Sequence, residues 1–194
     1  MKSSGKKRFK PDDYELQVST HQRVFFDPAR ADPQDAFVAH VTAEVMHYSK
    51  DTSKPARRVG TAIAWLVLGE LASFHGSGLT EACDAHSAEL EVVRAAIDEH
   101  VEDLSDADNV VFLESLTLKP DYNFVGLLTA ICEHLPASLG TPVSYAATLM
   151  GSLGLDPANP LPANPARLPT GAMVLPEAEL VVWQPGNDEG WLFN

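Results

Sequence analysis

Alternating apolar and polar residues predict three β-strands in the N-terminal third of the chain. Tyr14 to Thr20 predicts a short first strand, and Phe37 to Tyr48 predicts a half-buried second strand with one wetter face. Val59 to Leu71 is more continuously apolar, and the charged segment Lys50 to Arg58 predicts the loop before it. The second and third strands are therefore expected to be antiparallel neighbours.

A helix is predicted after the glycine break at Gly76-Ser77-Gly78. Thr80 is a suitable N-cap, and the helix is expected to run to Glu102. Asp103 to Asp108 then forms an acidic connection to the next strand. The apolar stripe of this helix consists of Cys83, Leu90, Val93, Ile97 and Val101.

The next segment reads as a strand, a turn and a helix. Asn109 to Leu118 is largely apolar on both faces, as expected of a strand covered from both sides. It ends at Pro120, and helical spacing of apolar residues starts at Val125. The loop Tyr122 to Gly126 therefore lies at a helix N-terminus, where free N–H groups and the helix dipole favour an anion.

The segment Leu116 to Tyr122, followed by Gly126, resembles motif A of the GNAT N-acetyltransferase superfamily. In that motif a strand runs into a Pro-x-Tyr turn and a Gln/Arg-x-x-Gly-x-Gly/Ala loop that cradles the diphosphate of acetyl-CoA. Gly126 falls on the middle glycine, but Asn123 stands in place of Gln or Arg and Leu128 in place of the last Gly or Ala. The resemblance implies acetyl-CoA as cofactor, and the branched Leu128 implies weak or absent binding. The cofactor-binding residues that it implies are Leu116, Leu118, Asn123, Phe124, Val125, Gly126, Leu127 and Leu128.

A second segment, Glu81 to Leu90, contains Asp84-Ala85-His86-Ser87 and is similar to an Asp-Ala-His-Ser-x-Glu-Leu segment in a bacterial subgroup of GNAT-like proteins. The resemblance assigns no role to it. Together the two resemblances imply a single α/β (α+β) domain of GNAT-like architecture. Its sheet is expected to be mixed and mostly antiparallel, splayed beside Leu116 to Leu118, with helices on both faces.

An N-acetyltransferase needs a base for the attacking amine and an acid for the leaving thiolate. Glu114 is the candidate base, because its strand face is otherwise apolar and loss of solvent strengthens a carboxylate as a base. The alternative is a structural carboxylate at a sheet bulge or beside Arg or Lys. Met150 stands where many family members have the acidic tyrosine. Tyr145 is the substitute candidate, with a packed core tyrosine as the alternative.

Two functions are compatible with these residues. The first is acyl-CoA-dependent N-acyltransfer to a small-molecule or peptide amine, supported by the intact strand, Gly126 and Glu114. The second is a GNAT-like fold that no longer catalyses and binds a metabolite or a protein partner. The departures at Asn123, Leu128 and Met150 favour the second.

Charge narrows the classes of partner. The chain has 194 residues and a formal net charge of -13, from 14 basic and 27 acidic residues. Basic residues are concentrated in the first ten positions, so the remainder is strongly acidic. We expect this acidic part of the chain to repel nucleic acid and anionic membranes and to attract amines. The alternative explanation of the acidic charge is ordinary solubility.

Residues 1–13 are predicted to be a disordered basic tail, and residues 14–194 to be one domain with a proline-rich loop over 156–176 that is either a lid or a covering strap. After a strand from Thr141 to Leu149, a terminal hairpin is predicted from Glu179 to Gln184 and Trp191 to Phe193.

The tail has no apolar segment behind it and so does not resemble a secretory signal, and the apolar run Ala62 to Leu68 is too short to span a bilayer. Cys83 and Cys132 are predicted to be buried free thiols, as in a reducing cytoplasm. The spacing of the histidines does not predict a metal site. A cytoplasmic protein is therefore expected.

Overall fold

The computed structural model describes residues 9–21, 36–51, 53–101, 103–123, 125–158 and 168–186. Within these residues seven strands form one sheet in the order β1-β2-β3-β4-β5-β7-β6. All neighbouring strands are antiparallel except β4 and β5, which are parallel. The strands are β1 Tyr14–His21, β2 Val38–His47, β3 Arg57–Leu68, β4 Asn109–Leu118, β5 Tyr145–Leu149, β6 Met173–Leu175 and β7 Leu180–Trp183.

Helices cover both faces of this sheet, which makes the fold α+β as predicted. Three helices follow β3: α1 Gly69–Phe74, α2 Leu79–His86 and α3 Ala88–His100. They pack on one face, in a core that includes Cys83 and Ile97. The fourth, α4 Val125–Ala137, follows β4 and packs on the opposite face through Ile131 and Cys132. None of the helices in the described residues has the length and apolar character that crossing a bilayer requires.

The second strand shows how the sequence pattern fixes the orientation of the sheet. Val41 and Val45 are buried in the α4-side core, whereas Thr42 and Glu44 are only partly covered on the other face. The predicted wetter face of β2 is confirmed, and β2 pairs antiparallel with β3 as expected. The helices α1 to α3 therefore cover only part of their face of the sheet.

The prediction that the third strand reaches Leu71 is wrong, because β3 ends at Leu68 and α1 begins at Gly69. Gly69 lies so close to the Asp108 backbone that a side chain there would overlap the Asp108 carbonyl oxygen. The next amide, of Glu70, donates to the side-chain oxygen of Asn109 at 3.3 Å. These long-range contacts end the strand, and an apolar run alone does not reveal them.

The single helix predicted from Thr80 to Glu102 is two helices. Ser87 between them is extended, with φ -161° and ψ 151°, and its hydroxyl accepts a hydrogen bond from the Leu90 amide at 3.2 Å. Ser87 is thus the N-cap of α3, and Gly78 rather than Thr80 precedes α2. The apolar stripe keeps its period across the break, which is why the stripe does not reveal it.

The first strand of the predicted terminal hairpin is present as β7, and both of its edges are paired, one with β5 and one with β6. Strand β7 pairs with β6, which lies inside the segment 156–176 predicted to be a loop. The short 3-10 helix Pro176–Ala178 and Glu179, which has a φ of 56°, make the connection. Residues 191–193 lie outside the described residues, as do 159–167. Strand β5 begins at Tyr145 rather than at Thr141.

At the other end of the chain, the predicted tail over residues 1–13 is described only from residue 9. Pro11–Asp13 forms a 3-10 helix, and Phe9 packs against the α4-side core.

Candidate functional site

A gap opens in the sheet where β4 extends beyond the end of β5. The parallel pairing begins at Val110 with Tyr145 and ends at Leu113 with Thr148. The buried Thr148 hydroxyl donates to the Leu113 carbonyl at 2.8 Å, so the last carbonyl at this edge is satisfied by a side chain. Beyond it β4 continues to Leu118, and no strand in the described part of the chain pairs with that edge. We call this edge the β4–β5 gap.

Glu114 lies at a β-bulge where this gap begins. On the β3 side Leu113 pairs with Ala64 and Ser115 pairs with Ile63, so Glu114 is the extra residue without a partner. A bulge bends its strand and re-aims the side chain that it carries. The carboxylate therefore lies at the point where the β4–β5 pairing stops.

The side chain of Glu114 is exposed, which contradicts the expectation that its strand face would desolvate it. Only the first half of β4, Asn109 to Leu113, is buried throughout. One carboxylate oxygen, Oε2, accepts a hydrogen bond of 2.9 Å from the indole Nε1 of Trp65 on β3. The bulge that the sequence left as an alternative is present, and the carboxylate is held by an indole.

Glu114 opens into a cavity of about 640 Å³ on the α1–α3 face of the sheet. We call it the Glu114 cavity. Its walls come from β3, β4, the start of α3, the end of β5, and β7 with the turn before it. The lining residues are Trp65, Ser87, Ala88, Glu89, Val92, Val93, Phe112, Glu114, Ser115, Leu149, Ala178 and Leu180.

Two imidazole rings pack against Trp65, in addition to its hydrogen bond to the Glu114 carboxylate. Its ring centroid lies 4.5 Å from that of His86, with an angle of 61° between the planes, and 4.8 Å from that of His40. His86 is the last residue of α2, and Ser87 after it lines the cavity. The Asp84-Ala85-His86-Ser87 segment, to which the resemblance assigned no role, thus places His86 against Trp65 and Ser87 in the cavity wall.

Tyr145, the candidate general acid, does not lie beside Glu114 in the fold. It pairs with Val110, four residues before Glu114 along β4, which corresponds to about 13 Å of strand. Tyr145 is 4% exposed and belongs to the α1–α3 core. Burial raises its pKa, while a hydrogen bond with Gln184 acts in the opposite direction. This placement is that of a packed core tyrosine, and Met150 is also fully buried.

The loop after β4 leads directly into α4. Pro120–Tyr122 forms a 3-10 helix, Asn123 is exposed, and α4 begins at Val125. Phe124 lies outside the described residues.

Of the other residues implied for cofactor binding, Leu127 and Leu128 are buried in α4, at 2% and 7% exposure. Leu116 and Leu118 are partly buried against the α4-side core.

Gly126, in the first turn of α4, is covered by an aromatic ring from the N-terminal segment. A Cβ atom added at Gly126 would lie 3.1 Å from the Cβ of Phe9 and 3.2 Å from its Cδ1. The space that a small residue leaves over the helix N-terminus is therefore filled by Phe9. A smaller cavity of about 260 Å³ lies beside it, between α4 and β1, on the face opposite to Glu114.

Sequence reasoning did not single out Trp65, Glu89 or Phe9. Trp65 sits in an apolar strand run and reads as a core residue, and Glu89 reads as an ordinary exposed helix residue. Phe9 lies in a segment predicted to be disordered. In the described residues no three His, Cys, Asp or Glu side chains come together as they would around a metal ion.

Comparison with protein families, curated proteins and solved structures gives no significant match to this chain. The basis for assigning a function is therefore the geometry of the β4–β5 gap and the Glu114 cavity.

Proposed function

We propose that this protein is an acyl-CoA-dependent N-acyltransferase with a GNAT-like fold, acting on an amine in the Glu114 cavity. One observation carries the proposal: the end of the β4–β5 pairing, the bulge and the Glu114 carboxylate coincide within two residues of β4. An open strand edge, a carboxylate and a cavity thus meet at one point. A mostly antiparallel sheet with one parallel pair and helices on both faces supports the proposal.

The β4–β5 gap suits the pantetheine arm of a CoA thioester. Backbone groups of Ser115 to Leu118 on this edge have no strand partner in the described residues, and an extended ligand can pair with such an edge as an added strand does. The N-terminus of α4 lies just beyond the same strand and would hold the diphosphate. Phe9 covers that position, so diphosphate binding requires Phe9 to leave Gly126. When bound, the cofactor supplies the activated acyl group.

The chain's own residues would act on the amine. Glu114 attracts an ammonium group and can accept its proton directly or through one water. Its bond to Trp65 fixes the carboxylate at the bulge. A dedicated proton donor is not required for a leaving thiolate, because a thiol has a pKa near 8.5 and solvent can protonate it. The absence of Tyr145 from the gap is therefore compatible with turnover.

The acidic body and the free cysteines favour a small or peptidic amine as partner and the cytoplasm as location, rather than nucleic acid or a membrane surface.

The test is direct detection of acyl transfer. Purified protein is incubated with acetyl-CoA and a mixture of amines, and N-acetylated products are identified by mass spectrometry. We expect Glu114→Gln to lower the rate roughly 100- to 10,000-fold. Glu91→Gln is the matched control, because Glu91 is an exposed glutamate of α3 that does not line the cavity. Equal rates in Glu114→Gln and the control would remove Glu114 from the mechanism.

A second function is favoured by Phe9, which fills the space over Gly126. In this alternative the protein binds an amine or a partner without transferring an acyl group. It would be established if amines bind in the Glu114 cavity while acetyl-CoA neither binds nor reacts, even after Phe9 has been replaced by alanine.

A further inference from the structure

We propose that the Glu114 cavity selects a primary amine with an apolar alkyl or aryl body, over polyamines, amino sugars and amino acids. This inference rests on the proposed function and names its acceptor class. It follows from the distribution of charge and apolar surface on the cavity walls.

The charged groups of the lining are both carboxylates. Glu89 and Glu114 line the cavity, and no Lys, Arg or His is among its described lining residues. A cationic group is therefore attracted, whereas a ligand carboxylate or phosphate has no counter-charge in the cavity. This arrangement excludes free amino acids and phosphorylated amines as preferred acceptors.

Apart from two serines, the rest of the lining is apolar, and part of it is strongly exposed. Val92 is 59% exposed and Leu149 is 40% exposed, and these two face a cavity whose walls also include Phe112 and Leu180. Covering such side chains with an apolar ligand body is favourable in water. Polyamines and amino sugars are polar along their whole length and would leave these walls uncovered. The volume of about 640 Å³ falls within the range typical of small-molecule sites.

Trp65 connects the two halves of this recognition. Its indole N–H is committed to Glu114, and His86 packs against its ring at 4.5 Å. The ring is therefore held on two sides and presents a fixed aromatic wall next to the carboxylate. The indole thus fixes the carboxylate that attracts the ammonium group and, as part of the cavity wall, offers apolar surface to the ligand body.

The experiment measures amine binding by titration calorimetry on the full chain, without acyl-CoA. The probes are the n-alkylamines from propylamine to octylamine, with hexanol, hexanoate, spermidine and lysine for comparison. We expect affinity to rise with chain length by up to about fourfold per methylene. Hexylamine should bind at least roughly tenfold more tightly than hexanol or hexanoate, a difference of one charge interaction.

Variants locate the binding. Glu114→Gln and Glu89→Gln should each weaken hexylamine and leave hexanol unchanged, and Glu91→Gln should match the unmodified protein. Leu149→Ser should reduce the gain per methylene. The proposal is overturned if affinity does not depend on chain length, if hexanol binds as well as hexylamine, if spermidine or lysine binds best, or if no alkylamine binds.

Failure of this inference is distinguishable from failure of the proposed function. Tight alkylamine binding without acetylated product would retain the cavity preference and remove acyl transfer. Acetylation of spermidine or lysine in preference to hexylamine would retain acyl transfer and overturn the cavity preference.

Discussion

The indole nitrogen of Trp65 donates to Oε2 of Glu114 at 2.9 Å and so ties β3 to the bulged residue of β4. Trp65 itself pairs in register with Phe112, and Glu114 pairs with no residue of β3. The hydrogen bond therefore provides a link between the strands that the backbone ladder lacks at this residue.

Trp65→Phe keeps an aromatic ring and removes this hydrogen bond. If the bond positions the Glu114 carboxylate for proton transfer, kcat should fall about tenfold, as expected for one hydrogen bond to a charged group. In a Glu114→Gln background the same change should have little further effect, because the two residues act as a unit. Equal losses in both backgrounds would show that Trp65 acts through packing alone.

Phe9→Ala should increase the affinity for acetyl-CoA by clearing the space over Gly126. A ligand at about 100 times its dissociation constant stabilises the fold by roughly 2.7 kcal/mol. For a domain of this size that corresponds to a shift of roughly 5–11 °C in the melting temperature. We expect such a shift with millimolar acetyl-CoA in Phe9→Ala and a smaller one in the unmodified protein.

Phe74→Ala is the matched control for this measurement, since Phe74 is 84% exposed on α1. If Phe9→Ala shows no larger shift, Leu128→Gly becomes the informative variant. Affinity regained only in that variant would identify Leu128, rather than Phe9, as the obstruction.

Thr148→Val should destabilise the fold at the start of the β4–β5 gap. The substitution keeps the shape of the side chain but leaves the buried Leu113 carbonyl without its hydroxyl donor. The expected cost is about 1–3 kcal/mol in the free energy of unfolding, measured by urea denaturation. Thr148→Ser keeps the donor and should lose less. A loss in Thr148→Ser with none in Thr148→Val would mean that the methyl group, not the hydroxyl, stabilises this position.

The buried thiols predict a loss of stability at alkaline pH. Burial raises the pKa of Cys83 and of Cys132 from 9.0 to about 12. As the pH rises, the thiols ionise in the unfolded chain before they ionise in the folded protein. Their contribution to the free energy of unfolding is therefore complete below pH 9 and is lost as the pH rises toward 12. Each thiol should lower the free energy of unfolding by about 1 kcal/mol per pH unit in this window.

The measurement is urea denaturation of the protein and of a Cys83→Ala/Cys132→Ala variant between pH 8 and 10.5. Lysines and tyrosines titrate in both proteins, so the difference between the two slopes isolates the thiols. Parallel slopes would show that the thiols do not contribute.

Elements with a strong local period could be predicted from the sequence. The bounds of β4 and the pairing of β2 with β3 follow from alternation along Phe37 to Tyr48 and from the apolar run that ends at Pro120.

Features that depend on distant segments could not be predicted. Glu114 is exposed because the fully buried part of β4 ends at Leu113, and the strand pattern does not contain that information. Phe9 reaches Gly126 across more than a hundred residues of chain, so no local pattern indicates the contact. Ser87 interrupts a helix whose apolar stripe is continuous.

Ser87 is at once the C-cap of α2 and the N-cap of α3. The partial negative charge at the end of α2 therefore meets the partial positive charge at the start of α3, and these two end charges largely neutralise each other. Ala88 and Glu89, in the first turn of α3, line the Glu114 cavity. A helix N-terminus in a cavity wall usually attracts anions, but this one is neutralised by the helix before it. The two carboxylates in the lining therefore dominate the electric field inside the cavity.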